Sequence, residues 1–143
     1  MDMQQSFKEK RKKLSTRSAG MILFIFLINY AAMTFYWYGA IWWFDMLMHF
    51  LGGFWLGLSA IWVYFYRGKT PRQDMSFRKA LLISLVAIAA FGVSWEFFEF
   101  GIDRLITFAP HNWLDTTSDI FFDLAGGIVA ALLLVRKGYL TNK

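Results

Sequence analysis

Residues 80–102, ALLISLVAIAAFGVSWEFFEFGI, run from Ala80 to Trp95 without a charged side chain and then carry Glu96 and Glu99. The basic pair Arg78 and Lys79 precedes the run, and Asp103 and Arg104 follow it. A helix needs roughly 20 apolar residues to cross about 30 Å of hydrocarbon at 1.5 Å per residue. This segment meets that length and lacks the alternation of a barrel strand. Three further runs of the same kind cover residues 19–38, 41–66 and 117–135. The sequence therefore predicts an all-α polytopic membrane protein, a bundle of four transmembrane helices. A basic N-terminal arm, residues 1–18, leads into a transmembrane domain over 19–135, and a short tail spans 136–143.

Composition agrees. The 143 residues leave room for one domain. They are 57% hydrophobic and only 17% charged, with a mean hydropathy of +0.41. Soluble domains carry about 25% charged residues, so this chain has too little polar side chain to coat a water-facing surface. It has no cysteine, which excludes a disulfide framework, a thiol nucleophile and a thiolate metal site.

Charge sets the expected orientation. Lys8, Lys10, Arg11, Lys12, Lys13 and Arg17 precede the first run. Arg67, Lys69, Arg72, Arg78 and Lys79 lie between the second and third, and Arg136, Lys137 and Lys143 follow the fourth. Of the 15 basic residues, only Arg104 falls on the other side. The positive-inside bias then places both termini and the middle loop in the cytoplasm, with the chain as a multi-pass membrane protein. The basic residues flank spans and form no groove interleaved with aromatics, so nucleic acid is not an expected partner. The arm reads as a topogenic cluster or as a segment lying on anionic headgroups. With no A-x-A site behind it, the first run reads as a retained helix. Trp37, Trp42, Trp43, Trp95 and Trp113 fall near the outer ends as an interfacial belt, with Trp62, Tyr64 and Tyr66 toward the inner end of the second span. Pro71 and Pro110 are expected in loops.

Acidic residues concentrate at one depth. Asp45, Glu96, Glu99, Asp103, Asp115, Asp119 and Asp123 lie in or beside the outer halves of the last three spans, on the same side as His49 and His111. Asp45 and His49 are four apart and share a helix face. Glu96, Glu99 and Asp103 form one stripe on the third span, and Asp115, Asp119 and Asp123 form another on the fourth. At 1.5 Å per residue His49, Glu96 and Asp123 lie roughly 9–12 Å inside the outer boundary, so the stripes can meet at one level. An ionised group at that depth costs at least a few kcal/mol, and such residues face a protein interior or a wet cavity. Seven carboxylates against one arginine require either raised pKa values or a bound cation. Carboxylates with one imidazole suit Mg²⁺, Mn²⁺ or Ca²⁺, or Zn²⁺ or Fe²⁺ through the histidine. Asp45, His49, Glu96, Asp119 and Asp123 are the expected ligands of a divalent metal ion, with Glu96 and Glu99 as candidate catalytic bases. The Glu-x-x-His pairs of di-iron bundles are absent, since Glu99 stands three residues after Glu96.

Plainer roles compete for several of these residues. Asp115 or Asp119 could cap the fourth helix. Asp103 could pair with Arg104 or water, His111 beside Pro110 could be a solvated loop residue, and Asn29 could bond to a neighbouring helix. Gly53 and Gly57, Gly126 and Gly127, and Gly92 would let helices approach closely. A network of protonated carboxyls holding the bundle together is the structural alternative for the buried acids.

FDMLMHFLGGFWLG (Phe44 to Gly57), SWEFFEFGID (Ser94 to Asp103) and DTTSDIFFDLAGGIVAALL (Asp115 to Leu133) together resemble the YjdF-like family of small bacterial membrane proteins, with a more distant similarity to VanZ-like proteins. The shared pattern is an Asp followed four residues later by His, here Asp45 and His49, then a Glu in the next helix, here Glu96 or Glu99, then Asp119 and Asp123 with Gly126 and Gly127. The resemblance implies a multi-pass protein of the bacterial inner membrane, at the cell envelope, and no particular chemistry.

Three functions compete. A metal-dependent enzyme would act on a lipid headgroup or a lipid-linked envelope precursor, the metal polarising a phosphoryl or ester oxygen. A non-catalytic protein would bind a cation or ligand, or use the acids to rigidify the bundle. A transport component would pass protons or a cation along the stripes, although the inner halves of the spans carry no ionisable side chain and a homo-oligomer would have to complete the path.

Overall fold

The basic arm and the first apolar run form one helix. In the computed structural model α1 extends without a break over Met3–Thr34. Straight-chain Lys, Arg, Glu and Gln dominate its first half and favour helix, and Phe7 and Leu14, seven apart, are buried on one face. The arm is thus continuous with the membrane helix rather than a separate segment. Described are residues 3–140 except Lys69, Pro71, Gln73, Asp74 and Ala109. The expected topogenic residues Lys69 and Lys143, and the loop residue Pro71, lie outside the described residues.

After α1 the chain turns through Tyr36, whose φ of 57° is left-handed, into the short α2, Trp37–Ala40. The expected first span, 19–38, therefore crosses this turn. α3 covers Phe44–Tyr66, α4 Phe77–Ile102 and α5 Trp113–Arg136. Ser76 caps α4, its side chain accepting from the backbone N–H of Lys79. A π-helical turn, Asp103–Thr107, extends α4 and ends at Phe108, whose φ of 53° reverses the chain toward α5. A left-handed conformation at a bulky residue costs about 1–2 kcal/mol. No strand occurs among the described residues, and α1, α3, α4 and α5 are each long and apolar enough to cross a membrane. Phe24, Phe26, Leu27 and Tyr30 of α1 stand exposed, as do Leu82, Val86 and Phe91 of α4. A soluble monomer does not carry apolar surface on this scale; lipid is the medium that such faces fit.

The bundle is centred on α3, which packs against α5, α4 and α1. Two close approaches join α3 to α5. A β-carbon on Gly53 would collide with the backbone of Asp123, and one on Gly126 would collide with the Phe50 carbonyl oxygen and stand 2.6 Å from the Phe54 nitrogen. Backbone thus meets backbone where side chains would ordinarily hold helices apart. Ser84 of α4 locks onto the same seam, its buried hydroxyl donating to the Gly127 carbonyl at 3.2 Å.

The end of the bundle that carries the basic residues is closed by a clasp. Phe7 stacks on Tyr66 with ring centroids 5.3 Å apart. The Tyr66 hydroxyl donates to the Tyr139 carbonyl at 2.7 Å, and Lys10 Nζ donates to the Gly138 carbonyl at 2.6 Å. The indoles of Trp55 and Trp62 donate to the carbonyls of Ser18 and Arg11. Hydrophobic side chains from α1, α3, α4, α5 and the segment after α5 form the core here, with Ile61, Phe65, Ala80, Ala130, Ala131 and Leu134 among its buried members. Asp45, Glu96, Glu99, Asp103, Asp115, Asp119 and Asp123 lie toward the other end.

Candidate metal centre

Each buried stripe changes character along its length. On α4, Ala80, Ser84 and Ile88 are buried at four-residue spacing, and Glu96, eight beyond Ile88, is buried too. On α5 the buried stripe begins at Asp119 and continues through Gly126, Gly127, Ala130, Ala131 and Leu134. On α3 the buried Gly53, Gly57 and Ile61 continue, four residues at a time, the face that carries Asp45 and His49. Helical periodicity therefore aims these polar side chains inward, and the glycine contacts bring them to one level.

The imidazole of His49 lies between three carboxylates. Its Nε2 is 3.9 Å from Asp45 Oδ1 and 3.7 Å from Asp119 Oδ1, and its Nδ1 is 3.5 Å from Asp123 Oδ1. The Asp45 side chain is 38% exposed at the rim, whereas that of Asp119 is 3% exposed. A β-carbon on Gly92 would stand 3.2 Å from Asp123 Oδ2, so glycine at that position leaves room for the carboxylate.

Two sets of donor atoms have metal-ligand spacing. One comprises Asp45, His49 and Asp119, the other Glu96, Glu99 and Asp119, and within each set the atoms lie within 4.8 Å of one another. That spread is about twice an ordinary metal–oxygen bond of 2.0–2.6 Å. Asp119 belongs to both sets. Asp119 Oδ1 and Glu96 Oε2 are buried and have no hydrogen-bond partner. Buried polar atoms are normally paired, and an unpaired one costs about 1–3 kcal/mol or more.

The structure thus brings Asp45, His49, Glu96, Glu99, Asp119 and Asp123 to one end of the bundle. Asp123 lies outside both donor sets, behind the imidazole at Nδ1. Glu99, expected as a base, is one of the donors and also lines a cavity of about 290 Å³ together with Trp95, Phe98, Asp103, His111 and Asp115.

The plainer expectations fare unevenly. His111 is not a solvated loop residue: its side chain is 10% exposed and contacts Phe100 and Trp113 edge-on. Its Nδ1 pairs with Asp103 Oδ2 at 2.9 Å and its Nε2 with Thr116 Oγ1 at 2.9 Å. Asp103 opens the π-helical turn, and the chain that follows returns His111 to it across eight positions, a contact that helical spacing does not predict. Asp115 is not the cap of α5, because the helix begins earlier, at Trp113 with Asn112 before it. Asp119 is a turn farther in and buried. Asn29 accepts a 2.7 Å hydrogen bond from the Tyr38 hydroxyl of α2 and not from a neighbouring span.

The family model described as "Predicted membrane protein (DUF2238)" matches residues 6–138. This match is consistent with the YjdF-like resemblance, and the VanZ-like similarity has no counterpart in it. No curated protein and no solved structure matches the chain.

Proposed function

The chain belongs to this DUF2238 family of predicted membrane proteins, and from that premise we propose that it is a metal-dependent enzyme of the bacterial inner membrane acting on a lipid or lipid-linked phosphoester. Both termini and the middle loop face the cytoplasm, on the strength of the charge bias. The acidic site then opens toward the outer leaflet, at the depth of lipid headgroups.

One observation carries the reading. Asp119 is 2% exposed, and its Oδ1 lacks a hydrogen-bond partner while facing the His49 imidazole. A network of protonated carboxyls would give such an atom a proton to share; a cation accounts for its being unpaired. Asp45, His49 through Nε2, and Asp119 would hold the ion. Asp123 would accept from Nδ1–H and fix the ring, as carboxylates behind metal-bound histidines do. The ion would polarise a phosphoryl oxygen. Glu99, on the cavity wall, would take a proton from the attacking water as the new P–O bond forms. The lipid alkoxide would leave as its P–O bond breaks and would recover that proton. Glu96 is only 8% exposed, which favours Glu99 over it as the base.

Purely structural or binding roles use the same acids. The cavity beside Glu99 favours turnover, because it gives a substrate a place next to the donors.

The test is elemental analysis of the detergent-purified protein and its His49→Ala variant, with phosphate release from lipid phosphoesters measured in proteoliposomes. A divalent metal in the wild type, lost with activity from a still-folded variant, is the expected result. No metal in the wild type after incubation with Mg²⁺, Mn²⁺ and Zn²⁺ would overturn the reading.

A further inference from the structure

We propose that the site holds two divalent ions bridged by Asp119. The inference rests on the metal-binding reading above and deepens it. The donors fall into two sets and not one. Asp45, His49 and Asp119 lie within reach of one ion, and Glu96, Glu99 and Asp119 within reach of another. Among the described residues these five do not form a single set with that spacing, so one ion does not collect them all. Asp119 alone is common to both, and a carboxylate with two oxygens can serve two metals.

Two unpaired atoms mark the two positions independently. Asp119 Oδ1 is buried without a hydrogen bond, 3.7 Å from His49 Nε2, and Glu96 Oε2 is buried without a hydrogen bond on the α4 side. Their residues are 2% and 8% exposed. An ion in the first set alone leaves Glu96 Oε2 unpaired, at the cost of any buried and unsatisfied carboxylate.

Charge points the same way. Asp45, Glu96, Glu99, Asp119 and Asp123 bring five carboxylates around one imidazole. With these ionised, one divalent cation leaves three negative charges in a low-dielectric setting, and two cations leave one. The substrate class follows from the arrangement. Paired ions about 3.5–4 Å apart clamp the oxygens of a phosphoryl group undergoing in-line displacement, which favours a phosphoester over a carboxylic ester. On this account Glu99 is a ligand and not a base.

The experiment loads metal-free protein in detergent with Mn²⁺, removes excess by gel filtration, and measures manganese per chain with the electron paramagnetic resonance spectrum. Two equivalents with a spin-coupled spectrum are expected for the wild type. Glu99→Gln should fall to one equivalent with an uncoupled six-line spectrum. One equivalent in both proteins with six-line spectra would overturn the bridged pair and leave the single-ion reading standing, with Glu99 as base. No bound manganese in the wild type, with none after Mg²⁺ or Zn²⁺ either, would overturn both. The wild-type result decides the question even if the variant fails to fold.

Discussion

His49 Nδ1 stands 3.5 Å from Asp123 Oδ1, on the side of the ring away from Asp45 and Asp119. A carboxylate in that position fixes the tautomer that leaves Nε2 free to ligate, and it raises the basicity of the imidazole. Asp123→Ala should therefore weaken metal binding about 10- to 100-fold without removing a donor from either set. Titration of metal-free protein with Mn²⁺ checks this. An unchanged affinity would mean that Asp123 has no hold on the ring.

Gly126 and Phe50 meet backbone to backbone. Gly126→Ala should force α3 and α5 apart, with an overpacking cost of about 1–3 kcal/mol. Because the same seam brings His49 to Asp119, metal occupancy should fall along with the unfolding temperature in detergent. Gly20 on α1 has open space where a β-carbon would go, so Gly20→Ala should leave both quantities unchanged or raise stability slightly.

Ser84 contributes to packing and not to the site. Removing its buried bond to the Gly127 carbonyl in Ser84→Ala should cost about 0.5–1.5 kcal/mol. Metal content should stay at the wild-type level. Thermal unfolding and elemental analysis on the same sample separate the two effects.

His111 borders the cavity and belongs to neither donor set. His111→Ala should keep its metal while losing phosphate release, because the wall formed by Asp103, His111 and Thr116 loosens. Steady-state kinetics on a lipid phosphoester should place more of the loss in KM than in kcat. Loss of metal instead would show that the cavity wall supports the ligands.

Acid should strip the site. Carboxylates and imidazole bind a metal in their deprotonated forms, so protons compete with it. Occupancy at subsaturating Mn²⁺ should fall as pH drops from 7 to 5, and metal-dependent thermal stabilisation should fall with it. A shift in unfolding temperature on adding Mn²⁺ that is independent of pH would argue for binding elsewhere.

Much of this arrangement is legible in the chain. Apolar runs between basic clusters define the four membrane helices, because bilayer thickness imposes a length that few other constraints imitate. The i, i+4 spacing of Asp45 and His49, and of Asp119 and Asp123, was enough to put these pairs on shared faces. Helix ends were harder to read. The turn at Tyr36, the π-helical turn at Asp103–Thr107 and the early start of α5 at Trp113 depend on tertiary contacts that a periodicity does not encode. The His111 pairings sit at one of those ends and were missed for that reason; a histidine and an aspartate flanking a short link between two spans was the available signal. Asp45, His49, Glu96 and Asp119 were legible as candidate donors, but their division into two sets with Glu99 was out of reach, since sequence spacing gives a helix face but not the rotation of one helix against another.

The clasp at the basic end has a consequence for the order of assembly. Lys10 and the Gly138 carbonyl are 128 positions apart, as far as nearly any two partners in this chain can be. During synthesis from the N-terminus, the contacts of α1 with α3 become available while most of α4 and α5 is still unmade. The bonds from Lys10 and Tyr66 to the segment after α5 must wait until α5 has entered the membrane. Closing so long a loop is entropically slow, so this latch forms after the α1–α3 contacts. It secures a bundle whose helices have already paired and does not guide them into place.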